Sequence, residues 1–324
     1  MDISQQQFEH ASAIARAVRA EVGKAVVGQN ESVDQILASL IAAGHVLIEG
    51  VPGLGKTLLV RALAQTFAGK FARIQFTPDL MPADVTGHTL YDQNSGQFTT
   101  RRGPVFTNLL LADEINRAPA KTQAALLEVM QEGQVTIEGV SHQLQPPFMV
   151  LATQNPIEHE GTYALPEAQL DRFLMKVRID YPEQNDEVRM VARITGNQIG
   201  EKLNVSDVNN VVQLEDILML QKAAGAIRVD DAVSEYAVRI VRTTRSWSGV
   251  SAGAGPRGGI ALVRSARSMA LMAGRSFVTP DDIKAMALPT LRHRIALSPE
   301  LEIEGHSTDY VLAQLLEEVE APRV

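Results

Sequence analysis

The sequence predicts an α/β protein: a core built on a parallel sheet, followed by a smaller all-α domain. Within residues 1–182, short apolar runs alternate with helical patterns, as strands and crossover helices do in parallel sheets. A glycine-rich turn separates the first of these runs from the helix that follows it. After Tyr181 and Pro182 the apolar spacing is helical, and no strand pattern is convincing. We therefore expect the core over residues 1–182 and the helical domain over residues 183–324.

Two amphipathic helices are expected before the sheet. The first can begin after Ser4, a residue type that caps helices, and the second covers residues 31–43. Residues 45–49 then form a short apolar run typical of a buried strand, and residues 56–68 return to helical spacing.

The remaining strands of the core are expected at residues 73–76, 106–112, 148–152 and 173–179. The run at 106–112 is apolar almost throughout, which suits a strand buried on both faces of a parallel sheet. Two segments, residues 89–100 and 134–144, carry glycine turns and hairpin patterns, and a helix over residues 121–131 lies between them.

Six helices are expected in the second domain, at residues 185–195, 214–224, 233–246, 259–273, 280–291 and 308–319. The fifth has a clear start, with Thr279 as its cap and Pro280 in its first position. Residues 249–259 are rich in glycine, and we interpret them as a mobile connection. They contain patterns of a hydrolase nucleophile turn and of a dinucleotide-binding turn. Both patterns require a preceding strand, whereas residues 233–247 read as helix.

Composition excludes several classes of protein. The chain has 324 residues and no cysteine, which rules out disulfides and thiolate chemistry. Its net charge of −8 argues against bulk binding to nucleic acid. No signal peptide is visible, and the longest apolar stretch, residues 36–48, is too short for a membrane span. The seven histidines show no metal-binding spacing. A cytoplasmic protein is expected.

The glycine-rich turn has the sequence GVPGLGKT and fits the phosphate-binding loop pattern, in the strand–loop–helix context that the pattern requires. Backbone N–H groups of such a loop surround phosphate oxygens at a helix N-terminus. Lys56 would neutralise the β- and γ-phosphates of ATP, and the Thr57 hydroxyl would reach Mg²⁺. The residues expected to contact nucleotide here are Gly50, Pro52, Gly53, Leu54, Gly55, Lys56, Thr57 and Leu58.

Polar residues follow two of the predicted strands. Asp113 and Glu114 end the run at 106–112, where the first carboxylate can hold Mg²⁺ and the second can polarise an attacking water. Asn155 follows the next strand and could orient that water near the γ-phosphate. The alternatives are a solvated strand end for the acids and a turn before Pro156 for the amide.

Two arginines could stabilise charge on a transferring phosphate. Arg172 lies just before the last core strand, and Arg257 follows a Gly-Pro pair in the glycine-rich connection. Taken singly, each fits an ordinary surface or salt-bridge arginine better than a catalytic one.

The order of these motifs resembles that of the AAA+ ATPases. The run from Asn155 to Phe173, NPIEHEGTYALPEAQLDRF, is similar to the signature of the MoxR family, and the resemblance covers residues 27–297. It implies a phosphate-loop core with a helical lid, and it matches the two hairpins to inserts of that family. The roles that it implies are adenine contacts for Val27 and Gly28, Walker B acids for Asp113 and Glu114, first sensor for Asn155, arginine finger for Arg172 and second sensor for Arg257. Gly255 stands where serine is usual, and whether Arg257 acts in cis or in trans stays open.

The resemblance also implies a function. It predicts a chaperone-like motor that hydrolyses ATP with Mg²⁺, assembles as a homo-oligomeric, hexameric ring, and acts on a client protein with a von Willebrand factor A domain in assembly or metal insertion. The alternatives are the motor subunit of a metal chelatase, a DNA-processing or transcription-activating ATPase, and a nucleotide switch without hydrolysis. The acidic balance and the missing Gly-Ala-Phe-Thr-Gly-Ala sequence disfavour the DNA and transcription alternative, and Glu114 disfavours the switch.

Overall fold

A computed structural model gives the structure of the protein and describes residues 4–51, 53–93, 96–155, 162–196 and 205–322. The elements of the first half, in chain order, are helices α1 (Gln5–Ala25) and α2 (Asn30–Ile41), strand β1 (Val46–Glu49), helix α3 (Lys56–Thr66), strand β2 (Phe71–Gln75), helix α4 (Pro82–Thr86), strands β3 (Gly87–Asp92), β4 (Gln97–Arg102) and β5 (Leu109–Asp113), helix α5 (Ala120–Glu132), strands β6 (Gln134–Ile137), β7 (Val140–Gln143) and β8 (Met149–Gln154), helix α6 (Glu167–Leu170) and strand β9 (Met175–Arg178).

Five of these strands form a central parallel sheet in the order β2-β5-β8-β1-β9. The strands at its centre are apolar and buried, as the sequence predicts: Leu109 to Ala112 of β5 are each 0% exposed. Strand β5 starts three residues later than expected because the backbone N–H groups of Asn108 and Leu109 both donate to Lys70 O. Because all five strands are parallel, their carboxyl ends lie at one edge of the sheet, where ligands bind in such folds.

Both predicted hairpins are present. Strands β3 and β4 pair antiparallel over six residues each, and β6 pairs with β7. The second hairpin turns at Glu138 and Gly139, both with positive φ (47° and 79°), as a tight hairpin turn with matching twist requires. Tyr91 and Phe98 face each other across the first hairpin with ring centroids 5.2 Å apart, and they are 56% and 74% exposed.

The second half is mostly helical. It contains α7 (Gln184–Gly196), α8 (Leu214–Ala226), α9 (Asp231–Thr244), α10 (Pro256–Met272), α11 (Pro280–Leu291), α12 (Pro299–Ile303) and α13 (Thr308–Glu318), with short strands β10 (Val250–Ala252) and β11 (Ala296–Leu297). Helix α11 starts as predicted: Thr279 and Asp282 cap each other's backbone N–H groups.

The expectation of no strand after residue 182 was wrong. Strand β10, inside the glycine-rich connection, pairs antiparallel with β11, which follows helix α11. Strands of three and two residues are too short to show an alternating pattern. The hydrolase and dinucleotide patterns nonetheless lack their context. Helix α9, not a strand, precedes the hydrolase pattern. Strand β10 does precede the dinucleotide pattern, but it pairs antiparallel, whereas a dinucleotide-binding turn belongs to a parallel strand–helix–strand unit.

One apolar cluster joins the two halves. It includes Val18 and Val22 of α1 together with Leu220 of α8 and Leu271 of α10, all nearly inaccessible to solvent. Helix α1 thus packs against the helical half as well as against the core, and the boundary near residue 182 remains a prediction. Among the described residues, no helix has the length and apolar character to cross a bilayer.

Candidate nucleotide site

The phosphate-binding loop lies where the sequence predicts it, between the end of β1 and the start of α3. Gly53 and Gly55 have φ values of 86° and 75°, a left-handed conformation that glycine adopts without strain. Lys56 Nζ donates a 2.7 Å hydrogen bond to Gly50 O, so its side chain folds back along the loop. Burial lowers the pKa of Lys56, and the charges of Asp113 and Glu114 act in the opposite direction. Pro52 lies outside the described residues.

The two acids come together at the carboxyl end of β5, with Thr153 of β8 between them. Thr153 Oγ1 donates to Asp113 Oδ1 at 2.6 Å and accepts from the Glu114 backbone N–H at 2.9 Å. Glu114 has a φ of 56°, an uncommon conformation for a residue with a side chain. Such backbone outliers occur often in catalytic sites, and this one turns the Glu114 side chain away from the direction of the strand.

Two residues of β2 contact these acids, and the sequence analysis missed both. Arg73 binds Asp113 Oδ2 through Nε at 3.1 Å and Nη2 at 2.7 Å. Gln75 Nε2 donates to Glu114 Oε2 at 2.7 Å, and Arg117 Nε lies 3.0 Å from the same oxygen. No local signal marks Gln75, because its place directly opposite Asp113 follows from the register between β2 and β5.

The phosphate-binding loop, the two acids and the two β2 residues line one cavity of about 310 Å³ at the carboxyl edge of the sheet. Asn155, which is 7% exposed, also lines it and so joins the loop and the acids as expected. The cavity combines a lysine ammonium with carboxylate, hydroxyl and amide oxygens, the groups that bind a polyphosphate and a hard divalent cation. Its lining residues are Gly53, Gly55, Lys56, Thr57, Leu58, Arg73, Gln75, Asp113, Glu114 and Asn155.

The segment expected at the adenine lies beside the loop. Gln29 Nε2 donates to Leu54 O at 2.9 Å, which fixes the neighbouring Val27 and Gly28 near the phosphate-binding loop. Gly28 has a φ of 75°, and a side chain there would meet Asp186 at 2.8 Å. Only glycine fits this close approach to the start of the second half.

Arg172 and Arg257 lie together, but not in the cavity of the phosphate-binding loop. Both line a second cavity of about 410 Å³ together with His45 and Leu174, the residues just before β1 and β9. Arg257 Nη1 is 3.7 Å from Asp171 Oδ2, next to Arg172 in the chain. Among the described residues, the two cavities share no lining residue.

The two cavities therefore lie at opposite ends of the parallel strands. The loop and the acids follow the strand ends, whereas His45 and Leu174 precede the strand starts. The four residues of β1 separate the two ends by about 13 Å at a rise of about 3.3 Å per residue. Arg172 Nη1 is bonded to Leu127 O at 2.8 Å, on the side of helix α5. Neither arginine is placed to contact phosphates bound by its own chain.

Comparison with known proteins identifies the class of protein to which the fold belongs. Residues 45–175 match the model of the ATPase family associated with various cellular activities (AAA), and residues 242–315 match the AAA lid domain. A crystal structure of a protein from Cytophaga hutchinsonii superposes with a TM-score of 0.90 at 42% identity, covering 98% of both chains. The fold and the site thus define an ATP-hydrolysing AAA+ protein.

The family follows from the relatives. The chain is 43% identical to Chaperone MoxR1 of Mycobacterium tuberculosis over 94% of this chain and 81% of that protein. It is 32% identical to Protein MoxR of Methylorubrum extorquens, over 87% and 88%, and 46% identical to the uncharacterized protein YeaC of Bacillus subtilis, over 93% and 92%. The chain belongs to the MoxR family of AAA+ ATPases.

Proposed function

We propose that this ATPase works as a closed, hexameric ring of identical subunits, in which each nucleotide site is completed by arginines of the next subunit. The observation that carries the proposal is the position of Arg172 and Arg257 at the opposite end of the sheet from their own phosphate-binding loop. Two arginines that share a cavity but cannot reach their own nucleotide are suited to a neighbour's. In a ring, every subunit both receives and supplies them.

The residues of the cavity would divide the chemistry as follows. Lys56 and the loop N–H groups would bind the phosphates, and Thr57 with Asp113 would hold Mg²⁺, whose preference for oxygen ligands they match. Glu114 would accept a proton from the attacking water, and Asn155 would orient that water. Arg172 and Arg257 of the neighbouring subunit would stabilise charge on the transferring phosphoryl group.

Complementation between two inactive variants tests the ring. Arg172→Ala keeps an intact pocket but lacks the supplied arginine, and Lys56→Ala keeps the arginine but lacks the pocket. Each should be inactive alone, and their mixture should hydrolyse ATP, because some interfaces then combine an intact pocket with an intact Arg172. A tag on one variant verifies that mixed rings form. Mixed rings without activity at any ratio would show that Arg172 does not act across the interface.

We further propose that the motor acts, in the cytoplasm, on a client protein with a von Willebrand factor A domain, in a chaperone-like role in assembly or metal insertion. The name of the mycobacterial relative supports a chaperone role. The exposed Tyr91 and Phe98 pair supports contact with another protein through the first hairpin, because paired exposed aromatic side chains are common at interfaces.

Capture of the client tests this proposal. Glu114→Gln should bind ATP without turning it over and so retain a client that the wild-type protein releases. Pull-down with this variant and with Lys56→Ala as control, followed by mass spectrometry, should enrich von Willebrand factor A proteins only with Glu114→Gln. Enrichment of porphyrin-metallating subunits instead would favour the chelatase alternative.

A further inference from the structure

A three-residue segment of the helical half is bonded to the start of the edge strand β9. It follows helix α11 and consists of Arg292, His293 and Arg294. Arg292 Nη1 donates to Lys176 O at 3.3 Å, and His293 Nε2 lies 3.1 Å from Phe173 O. His293 Nε2 also lies 2.8 Å from Arg294 Nη1. Burial, and after it the charge of Arg294, lower the pKa of His293 well below its usual value.

Arg294 makes the most contacts of the three. Its side chain is 3% exposed, and its Nη2 bonds to Asp171 O at 3.2 Å and to Phe173 O at 2.6 Å. These carbonyls belong to the residues immediately before and after Arg172. Its Nη1 bonds to Leu174 O at 3.1 Å and also to Thr290 O. One buried guanidinium thus fixes the backbone on both sides of Arg172.

The carboxylate of Asp171 connects the same guanidinium to the second arginine of the cavity. Arg294 Nε donates to Asp171 Oδ1 at 2.8 Å, and Asp171 Oδ2 lies 3.7 Å from Arg257 Nη1. The Arg257 side chain is 57% exposed and that of Arg294 is buried. Arg294 therefore fixes the position of the Asp171 carboxylate, whose other oxygen faces Arg257. Burial lowers the pKa of Arg294, and its bond to Asp171 opposes that change.

We propose that Arg294 is a positioning residue that sets Arg172 and Arg257 for the neighbouring subunit's nucleotide. The inference rests on the proposed ring function, since it concerns the arginines that act across the interface. A guanidinium is required because its planar fork of five donors can bond several carbonyls and a carboxylate at once. A lysine in its place keeps the charge, but its single nitrogen cannot occupy the three separate positions from which Nε, Nη1 and Nη2 of Arg294 reach Asp171, Leu174 O and the two carbonyls that flank Arg172.

The test places Arg294 in one of two complementation groups. Rings of Arg294→Lys should have an unchanged KM for ATP. They should hydrolyse ATP about 10²-fold more slowly, the typical loss for a catalytic group misplaced by about 1 Å. Mixing Arg294→Lys with Lys56→Ala should restore hydrolysis, because Lys56→Ala supplies well-placed arginines to an intact pocket. Mixing Arg294→Lys with Arg172→Ala should restore nothing, because neither variant supplies them.

Two further variants separate positioning from general damage. Arg275→Lys is the matched control: Arg275 forms a two-bond pair with Asp282 at the other end of helix α11, so its replacement weakens the same helix without touching Asp171. It should leave turnover near the wild-type rate. Asp171→Asn should behave like Arg294→Lys, because it weakens the bond to Arg294 with almost no change in shape.

The outcomes are distinguishable. If Arg172→Ala complements Lys56→Ala but Arg294→Lys and Asp171→Asn do not, the ring stands and the positioning role is overturned. Failure of both variants to fold or to join mixed rings also overturns it, since the contacts would then serve the whole fold. If Arg172→Ala itself fails to complement in verified mixed rings, the ring proposal falls instead.

Discussion

Gln75 Nε2 donates a 2.7 Å hydrogen bond to Oε2 of Glu114, a residue 39 positions later in the sequence that directly follows β5. Arg117 binds the same oxygen at 3.0 Å. The side chain assigned to activating water is therefore held toward β2. To act on water beside the phosphates, the Glu114 carboxylate must release these contacts. A hydrogen bond to a charged group contributes about 1.5–3 kcal/mol, and less where water competes, so the restraint is appreciable.

We expect Gln75→Ala to increase hydrolysis of ATP in the absence of client. Removal of the bond to Glu114 lowers the free energy needed to bring its carboxylate to the water. A contribution of about 1 kcal/mol would give roughly a fivefold faster rate. Steady-state ATPase assays measure it, with Gln65→Ala on the exposed side of α3 as control. An unchanged or lower rate would indicate that Gln75 supports Glu114 rather than restrains it.

Binding and turnover should separate at Lys56 and Glu114. Lys56→Ala removes the main positive charge of the cavity, so ATP affinity should fall at least tenfold, as expected for loss of a charge-assisted bond. Glu114→Gln keeps the shape of the side chain but cannot accept a proton, so binding should persist while turnover falls by 10²-fold or more, the scale typical of general-base loss. Titration with a fluorescent ATP analogue and phosphate release measure the two effects. Wild-type turnover by Glu114→Gln would exclude Glu114 as the base.

Shortening the first hairpin should separate ATP hydrolysis from client response. Replacing residues 92–97 with a two-residue turn should leave the phosphate-binding cavity intact, because none of the hairpin residues that the structure describes lines that cavity. Basal hydrolysis should stay within about twofold of wild type, and stimulation by client should disappear. A matched shortening of the β6–β7 turn tests whether the effect is specific to the first hairpin. Loss of ATP binding would mean that the first hairpin serves the fold of the core.

Stability should decrease between pH 6.5 and pH 4 because of His45. Its Nδ1 accepts from Val150 N at 3.0 Å, its Nε2 bonds to Met130 O at 3.0 Å, and burial, with a smaller effect of nearby Arg264, lowers its pKa to about 4. The unfolded chain, with a pKa near 6.5, then binds more protons than the folded protein in this range. The contribution of His45 is complete above pH 6.5 and is lost as the pH falls toward 4, with about 2 kcal/mol lost at pH 5.

Urea unfolding followed by the fluorescence of Trp247, the single tryptophan, measures this loss. His45→Gln should make the decrease between pH 7 and pH 5 shallower, leaving the part that buried His293 causes, and it should lower stability at pH 7. His10→Gln, a change at an exposed position of α1, is the control and should leave the slope as in wild type. Equal slopes for His45→Gln and wild type would show that other groups cause the decrease.

Local patterns were enough to predict the α/β fold, the loop and the acid pair. The phosphate-binding loop needs neighbouring residues only, and the run ending at Asp113 shows its burial in its own composition. Gln75 and Arg294 could not be found in this way. Gln75 acts through the register between β2 and β5, and Arg294 meets Asp171 from 123 positions further along the chain. Pairing across such distances is fixed by the packed fold, and a single sequence does not reveal it.

The cover of strand β9 by residues 292–294 has a consequence for synthesis of the chain. Arg292 Nη1 donates a hydrogen bond to Lys176 O, and the two residues are 116 positions apart. At about 5–20 residues per second, the ribosome needs roughly 6–23 s to produce Arg292 after Lys176. During that interval the nascent core presents an edge strand with unpaired carbonyls, a template for pairing with other chains. Newly made copies on one messenger RNA are therefore most exposed to mispairing before residues 292–294 emerge.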